Sequence, residues 1–71
     1  MPQYTIRTDA FLADGIDAAN VDAAIRQTFA DEPGAASVVD VRSLAAWIER
    51  IADGAWCWIE EDDTRIVDLR S

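Results

Sequence analysis

The residues able to do chemistry sit close together near the end of the chain: Cys57, and shortly after it the run Glu60-Glu61-Asp62-Asp63, inside AWCWIEEDDTRIVDLR. A cysteine becomes a nucleophile when a neighbouring base or positive field generates its thiolate, and the chain has neither histidine nor lysine to do this. Cys57 therefore reads as a small buried hydrophobe. It has no disulfide partner within the chain, and without histidine or a second cysteine there is no standard zinc set. Acid–base catalysis by carboxylates needs one of them in an apolar pocket with a raised pKa, and 71 residues leave little room for a substrate cleft. The acidic run lacks the alternating oxygens, central glycine and distal Glu of a calcium loop. With only three glycines there is no phosphate-cradling fingerprint either. The expectation is a protein with no catalytic residues, no metal site and no cofactor, which acts by binding.

Charge indicates what it would bind. Six arginines against fourteen Asp and Glu give a net charge of -8. Such a field repels nucleic acid and anionic membranes and attracts basic surfaces. A GC-rich genome or a salt-adapted acidic proteome would account for the net charge without any function, but accounts less well for four consecutive carboxylates. On an extended chain, same-side neighbours in such a run lie about 6.6 Å apart. That is on the order of the phosphate repeat of a nucleic-acid strand, whose axial rise is about 3.4 Å per nucleotide. Glu60, Glu61, Asp62 and Asp63, backed by Asp31 and Glu32 or by Asp14 and Asp17, are thus candidate partner-binding residues that imitate a short stretch of phosphate backbone. The competing reading is a solvated turn whose charge keeps a hairpin edge from aggregating.

The elements that must position these residues are legible from periodicity. Gln3 to Thr8 alternates, with Tyr4 and Ile6 on one side, as a half-buried strand does. Asp9 to Ile16, carrying the turn signal Asp14-Gly15, reads as a loop with apolar anchors at Phe11, Leu12 and Ile16. Asp17 is placed to cap a helix over Ala18 to Ala30, which buries Val21, Ile25 and Phe29 and is stopped by Asp31-Glu32-Pro33-Gly34. A second helix runs from Val41 to Ala52 on the stripe Val41, Leu44, Ile48 and Ile51, with Trp47 flanking it. Its start is open: a capping box from Ser37 to Asp40 would begin it at Val38, whereas Val38-Val39 alone would suit a short strand. Gly54 is its expected C-terminal cap.

The last segment reads as a hairpin turning at Asp62-Asp63. Pairing arithmetic sets Glu60 against Arg65 as a charge pair, Ile59 against Ile66, Trp58 against Val67 and Trp56 against Leu69. The helices should then cover the Trp face, leaving Cys57, Ile59 and Ile66 on the outer face unless a helix crosses to cover them. The expected fold is one small α+β domain over residues 1–71, in the order β-α-α-β-β. It has a three-stranded, at least partly antiparallel sheet with two helices mainly on one face. The opening MPQYTIRTDAF lacks a basic stretch followed by an apolar run, and no segment approaches the roughly 18 apolar residues of a membrane span. A cytoplasmic setting is expected.

A small, lysine-free, acidic α+β chain without catalytic residues resembles the anti-CRISPR proteins of phages and mobile elements, notably the acidic inhibitors of type I effector complexes. The likeness covers the general build of all 71 residues and is sharpest at Glu60-Glu61-Asp62-Asp63. Those inhibitors share no signature motif, so no functional residue carries over by matching. The resemblance implies a DNA mimic that occupies the DNA-binding or protospacer-adjacent-motif-reading surface of a Cascade-like complex. Its partner would be a basic nucleic-acid-binding protein or complex, with no direct nucleic acid and no membrane, and the chain would act as a monomer. The alternative is a regulatory or antitoxin-like module that uses its apolar outer sheet face to bind a partner or to form a homodimer.

Overall fold

The computed structural model describes residues 1–71 and is α+β. Its strands are β1 (Gln3–Thr8), β2 (Leu12–Asp17), β3 (Trp56–Glu61) and β4 (Thr64–Arg70), and its helices are α1 (Val21–Phe29) and α2 (Val41–Ile51). The sheet has four strands in the order β2-β1-β3-β4, and every neighbouring pair is antiparallel. No helix is long and apolar enough to cross a membrane.

The additional strand corrects the sequence reading, which made residues 9 to 16 a loop and the sheet three-stranded. Asp14-Gly15 is a β-bulge, not a turn. Ile6 pairs with Ala13 and Tyr4 with Ile16, so two residues of β2 stand opposite Thr5. Gly15 supplies the left-handed backbone the bulge requires, with φ +66°. The true turn lies earlier: the Thr8 hydroxyl accepts from the Ala10 and Phe11 N–H groups at 3.0 Å each, and the Thr8 N–H donates to the Phe11 carbonyl at 2.9 Å.

α1 starts later than Asp17 would place it. Asn20 is the N-cap, its side-chain oxygen accepting from the Ala23 N–H at 2.9 Å, while Asp17 remains in β2 opposite Gln3. α1 buries Ala24, Ile25 and Phe29, with Val21 half-buried, and ends just before the Asp31-Glu32-Pro33-Gly34 stop. α2 begins at Val41, where its apolar stripe starts, and not at Val38. Asp40 caps it in a box with Ser43, the Ser43 N–H donating to Asp40 at 2.7 Å and the Asp40 N–H to Ser43 Oγ at 3.0 Å. Val38 is buried in the connecting loop and Val39 is exposed, so this pair is neither helix nor strand. Leu44 and Ile48 carry the buried stripe of α2, whereas Ile51, expected on it, is exposed. Trp47 does flank that stripe and packs edge-on against Phe29 at 5.4 Å.

The hairpin turns at Asp62-Asp63 as expected, with Glu61 opposite Thr64 and Glu60 opposite Arg65. Beyond that a bulge shifts the register: Ile59 pairs with Val67, Trp58 with Asp68, Cys57 with Leu69 and Trp56 with Arg70. Ile66 is the extra residue and is exposed. β1 then decides which face is buried, because Ile59 lies opposite Ile6 and Cys57 opposite Thr8. Cys57 and Ile59 therefore join Tyr4, Ile6, Ile25, Phe29, Leu44 and Ile48 in one core beneath the helices. The expected faces are reversed. Trp56 and Trp58 stand on the helix-free side, and the Cys57/Ile59 surface considered for partner or homodimer contact is interior.

Candidate functional site

The register arranges the helix-free face in rows. Asp14, Thr5, Glu60 and Arg65 form one row, Leu12, Arg7, Trp58 and Asp68 the next, and Trp56 with Arg70 the last. Above the first row lie Asp17 and Gln3, and next to Gln3 sits the hairpin turn. The fold thus gathers six of the sequence candidates, Asp14, Asp17, Glu60, Glu61, Asp62 and Asp63, at one end of the sheet around the start of β1. The other two do not join them. Asp31 and Glu32 lie in the loop after α1, where the Glu32 N–H donates to the Phe29 carbonyl at 3.2 Å. Glu32 faces a groove between α1 and β2, lined also by Phe11, Asp17 and Gln27, and separated from the hairpin by β1.

Three of these six carboxylates, Asp14, Glu61 and Asp62, are positioned by neutral hydrogen bonds, and none of the six is paired with a cation. The Gln3 N–H donates to Asp62 Oδ1 at 3.0 Å, and the Asp62 N–H donates to the Gln3 carbonyl at 2.9 Å, clasping the turn to β1. The Tyr4 hydroxyl donates to Glu61 Oε2 at 2.6 Å. Ionising the phenol would lose this bond, which together with burial and the neighbouring charges of Glu61 and Asp62 pushes the Tyr4 pKa up to about 12. Asp14 accepts from the Thr5 hydroxyl at 2.7 Å and from the Gly15 N–H at 2.8 Å. These bonds, that from Thr5 first, hold its carboxyl below the usual carboxylate range. Asp62 and Asp63 both adopt left-handed backbone, φ 47° and 69°, the conformation of a two-residue hairpin turn that glycine or asparagine fills at least cost.

The run is therefore not the straight ladder of carboxylates considered above. Glu60 and Glu61 end a strand, and Asp62 and Asp63 round a corner. Asp14 and Glu60 instead flank Thr5 on the strands either side of β1, about 9.6 Å apart at two strand spacings. The expected Glu60–Arg65 charge pair does not form, although the two residues are opposite. Arg65 turns to Asp68 at 3.6 Å and lies over the Trp58 ring, its Cζ 4.2 Å from the centroid. The only other ion pair, Arg70 to Asp68 at 3.5 Å, uses the same carboxylate. Of fourteen acidic residues, the chain's own arginines pair with Asp68 alone. No group of three or more potential ligands converges to hold a metal ion.

No family model, curated protein or solved structure matches this chain. What it can do rests on the geometry.

Cys57 is fully buried, and burial, then the charge of Asp9, pushes its thiol up to about 12. At neutral pH it is protonated and out of reach of solvent. The feature that sequence reasoning missed is the aromatic one. Trp56 and Trp58 stack at 4.2 Å with an interplanar angle of 19°. Arg65, opposite Glu60 on the turn side of Trp58, closes the other end of that stack. The alternation Val67-Asp68-Leu69-Arg70 carried the signal: its polar members need a solvent face, and Trp56 and Trp58 pair with them once Ile66 is bulged out.

Proposed function

We propose that this chain is a non-enzymatic binding domain whose carboxylate end docks on the basic, nucleic-acid-binding surface of a protein complex as a mimic of nucleic acid. The observation that carries this reading is the state of the hairpin turn. Glu61, Asp62 and Asp63 have no cationic partner in the chain, and two of them are fixed by Tyr4 and the Gln3 backbone. A carboxylate held in place by neutral donors keeps its full charge and loses little freedom when an arginine or lysine arrives. The mechanism is steric and electrostatic. The acidic end occupies side chains that would otherwise hold phosphates, with fast association and a strong dependence on salt.

Within that class, the resemblance in size, acidity and build points to an anti-CRISPR inhibitor of a type I effector, acting in the host cytoplasm by blocking target DNA or its adjacent motif. The test is competition. A type I effector is titrated with duplex target DNA in the presence of the chain, at about 50 and 200 mM salt. The reading expects DNA binding to fall as the chain is added, and inhibition to weaken sharply at the higher salt. DNA binding that is unchanged at saturating chain removes this class of partner.

A further inference from the structure

The helix-free sheet face is uncovered, and its chemistry differs from that of the rest of the chain. In its three rows, Arg7, Arg65 and Arg70 balance Asp14, Glu60 and Asp68, so the net charge of -8 is carried elsewhere. These three rows, bearing two stacked tryptophans and the exposed Leu12 and bordered at one end by Asp17, offer a second copy little net charge to repel it. The charges are also ordered along the strands. Asp14 and Glu60 flank Thr5 in one row, while Arg7 stands in the next row of the same central strand.

We propose that this face is a self-association surface. Two copies pack sheet on sheet about a two-fold axis that runs across the strands, between the Thr5 and Arg7 rows. That operation lays each β1 antiparallel on its counterpart and brings Arg7 of one copy over Thr5 of the other, between Asp14 and Glu60. Symmetry repeats the contact, so each copy both gives and receives an arginine. Leu12 and the Trp pair fill the space beside it, as the inner faces of a β-sandwich do. The footprint is small: four strands at about 4.8 Å by six residues at about 3.3 Å cover about 380 Å² per copy. A standard interface buries about 800 Å² per partner, so the dimer is weak and exchanges quickly. The same operation lays each hairpin turn over the Trp56–Arg70 row of the other copy, and the proposal does not rest on the function proposed above.

Sedimentation equilibrium over a concentration series is the test. The wild-type chain should rise from 7.8 kDa toward twice that mass as concentration increases. Arg7→Glu and Glu60→Lys should each raise the dissociation constant about tenfold or more. An equimolar mixture of the two should recover the dimer. The carboxylate introduced in one variant then meets the ammonium introduced in the other on one side, while the native contact of Arg7 with Glu60 forms on the other. Trp58→Ser, at a solvent-side position, should weaken the dimer without changing any charge. A wild type that stays at monomer mass up to about 1 mM, the scale of the weakest specific complexes, overturns the proposal whatever the variants do. So does a wild-type dimer that none of these substitutions weakens.

Discussion

The Tyr4 hydroxyl donates to the Glu61 carboxylate at 2.6 Å, joining the central strand to the base of the acidic turn. Because the bond needs the phenol proton, the Tyr4 pKa is pushed up to about 12 from an ordinary value of 10. The Cys57 thiol is likewise pushed up to about 12, from 9, by burial. In both cases the folded state holds its proton more tightly than the unfolded one. The stability they contribute is therefore complete below about pH 9 and lost as pH rises toward 12. Thermal unfolding across that range should show a falling midpoint. In Tyr4→Phe the loss should start from the Cys57 contribution alone. Tyr4 is the only tyrosine, so its absorbance titration reports this residue directly, and the folded protein should titrate well above pH 10.

Asp14 and Asp40 work in the opposite direction. Their carboxylates are held below the usual range by hydrogen bonds, from Thr5 and Gly15 in one case and from Ser43 in the other. The stability they contribute is present above about pH 4 and is lost as pH falls through their folded-state values. Thr5→Val should blunt the Asp14 part of the acid loss, read as a smaller drop in unfolding midpoint between pH 4 and 2 than in the wild type.

Cys57 should be inert toward thiol reagents in the folded protein and react at the rate at which the core opens. Labelling in increasing urea would then follow the unfolding transition seen by tryptophan fluorescence. Rapid labelling in buffer would place the thiol at the surface, contrary to its burial.

Two substitutions test the local structure. Asn20→Ala removes the side-chain acceptor for the Ala23 N–H and should cost about 1 kcal/mol. Asp63→Gly relieves a left-handed residue that is not glycine, at φ 69°, and should stabilise the fold by about 0.5–1 kcal/mol. Chemical denaturation of the two variants gives both numbers.

The sequence showed most of what periodicity controls and little of what pairing controls. Tyr4 and Ile6 marked β1, while Ile25 with Phe29 and Leu44 with Ile48 marked the helices, because each set follows the spacing of its element. β2 was hidden because LADGID has neither alternation nor β-branched density, and its Asp-Gly pair signals a turn more strongly than a bulge. The sheet faces came out reversed for a related reason. AWCWIE is apolar on both sides, so only the partner strand assigns a face, and one bulged residue, Ile66, moves every later side chain across the sheet. At the candidate site, the Asp62-Asp63 turn was legible. That Asp14 and Asp17 approach it, and that Asp31 and Glu32 do not, depended on β2.

The central claim is that the charge of the turn makes the binding surface, and isosteric amides separate charge from structure there. Glu61→Gln keeps an oxygen for the Tyr4 hydroxyl and Asp62→Asn keeps one for the Gln3 N–H, while Asp63 makes no side-chain hydrogen bond or ion pair to lose. The triple variant with Asp63→Asn should fold and unfold like the wild type. The measurement is capture of a host nucleic-acid-binding complex on immobilised wild type and triple variant, eluted by a salt gradient. The account expects the wild type to retain a complex that duplex DNA displaces and moderate salt releases, and the triple variant to retain little or none. Equal retention by both, with the same salt profile, would contradict it.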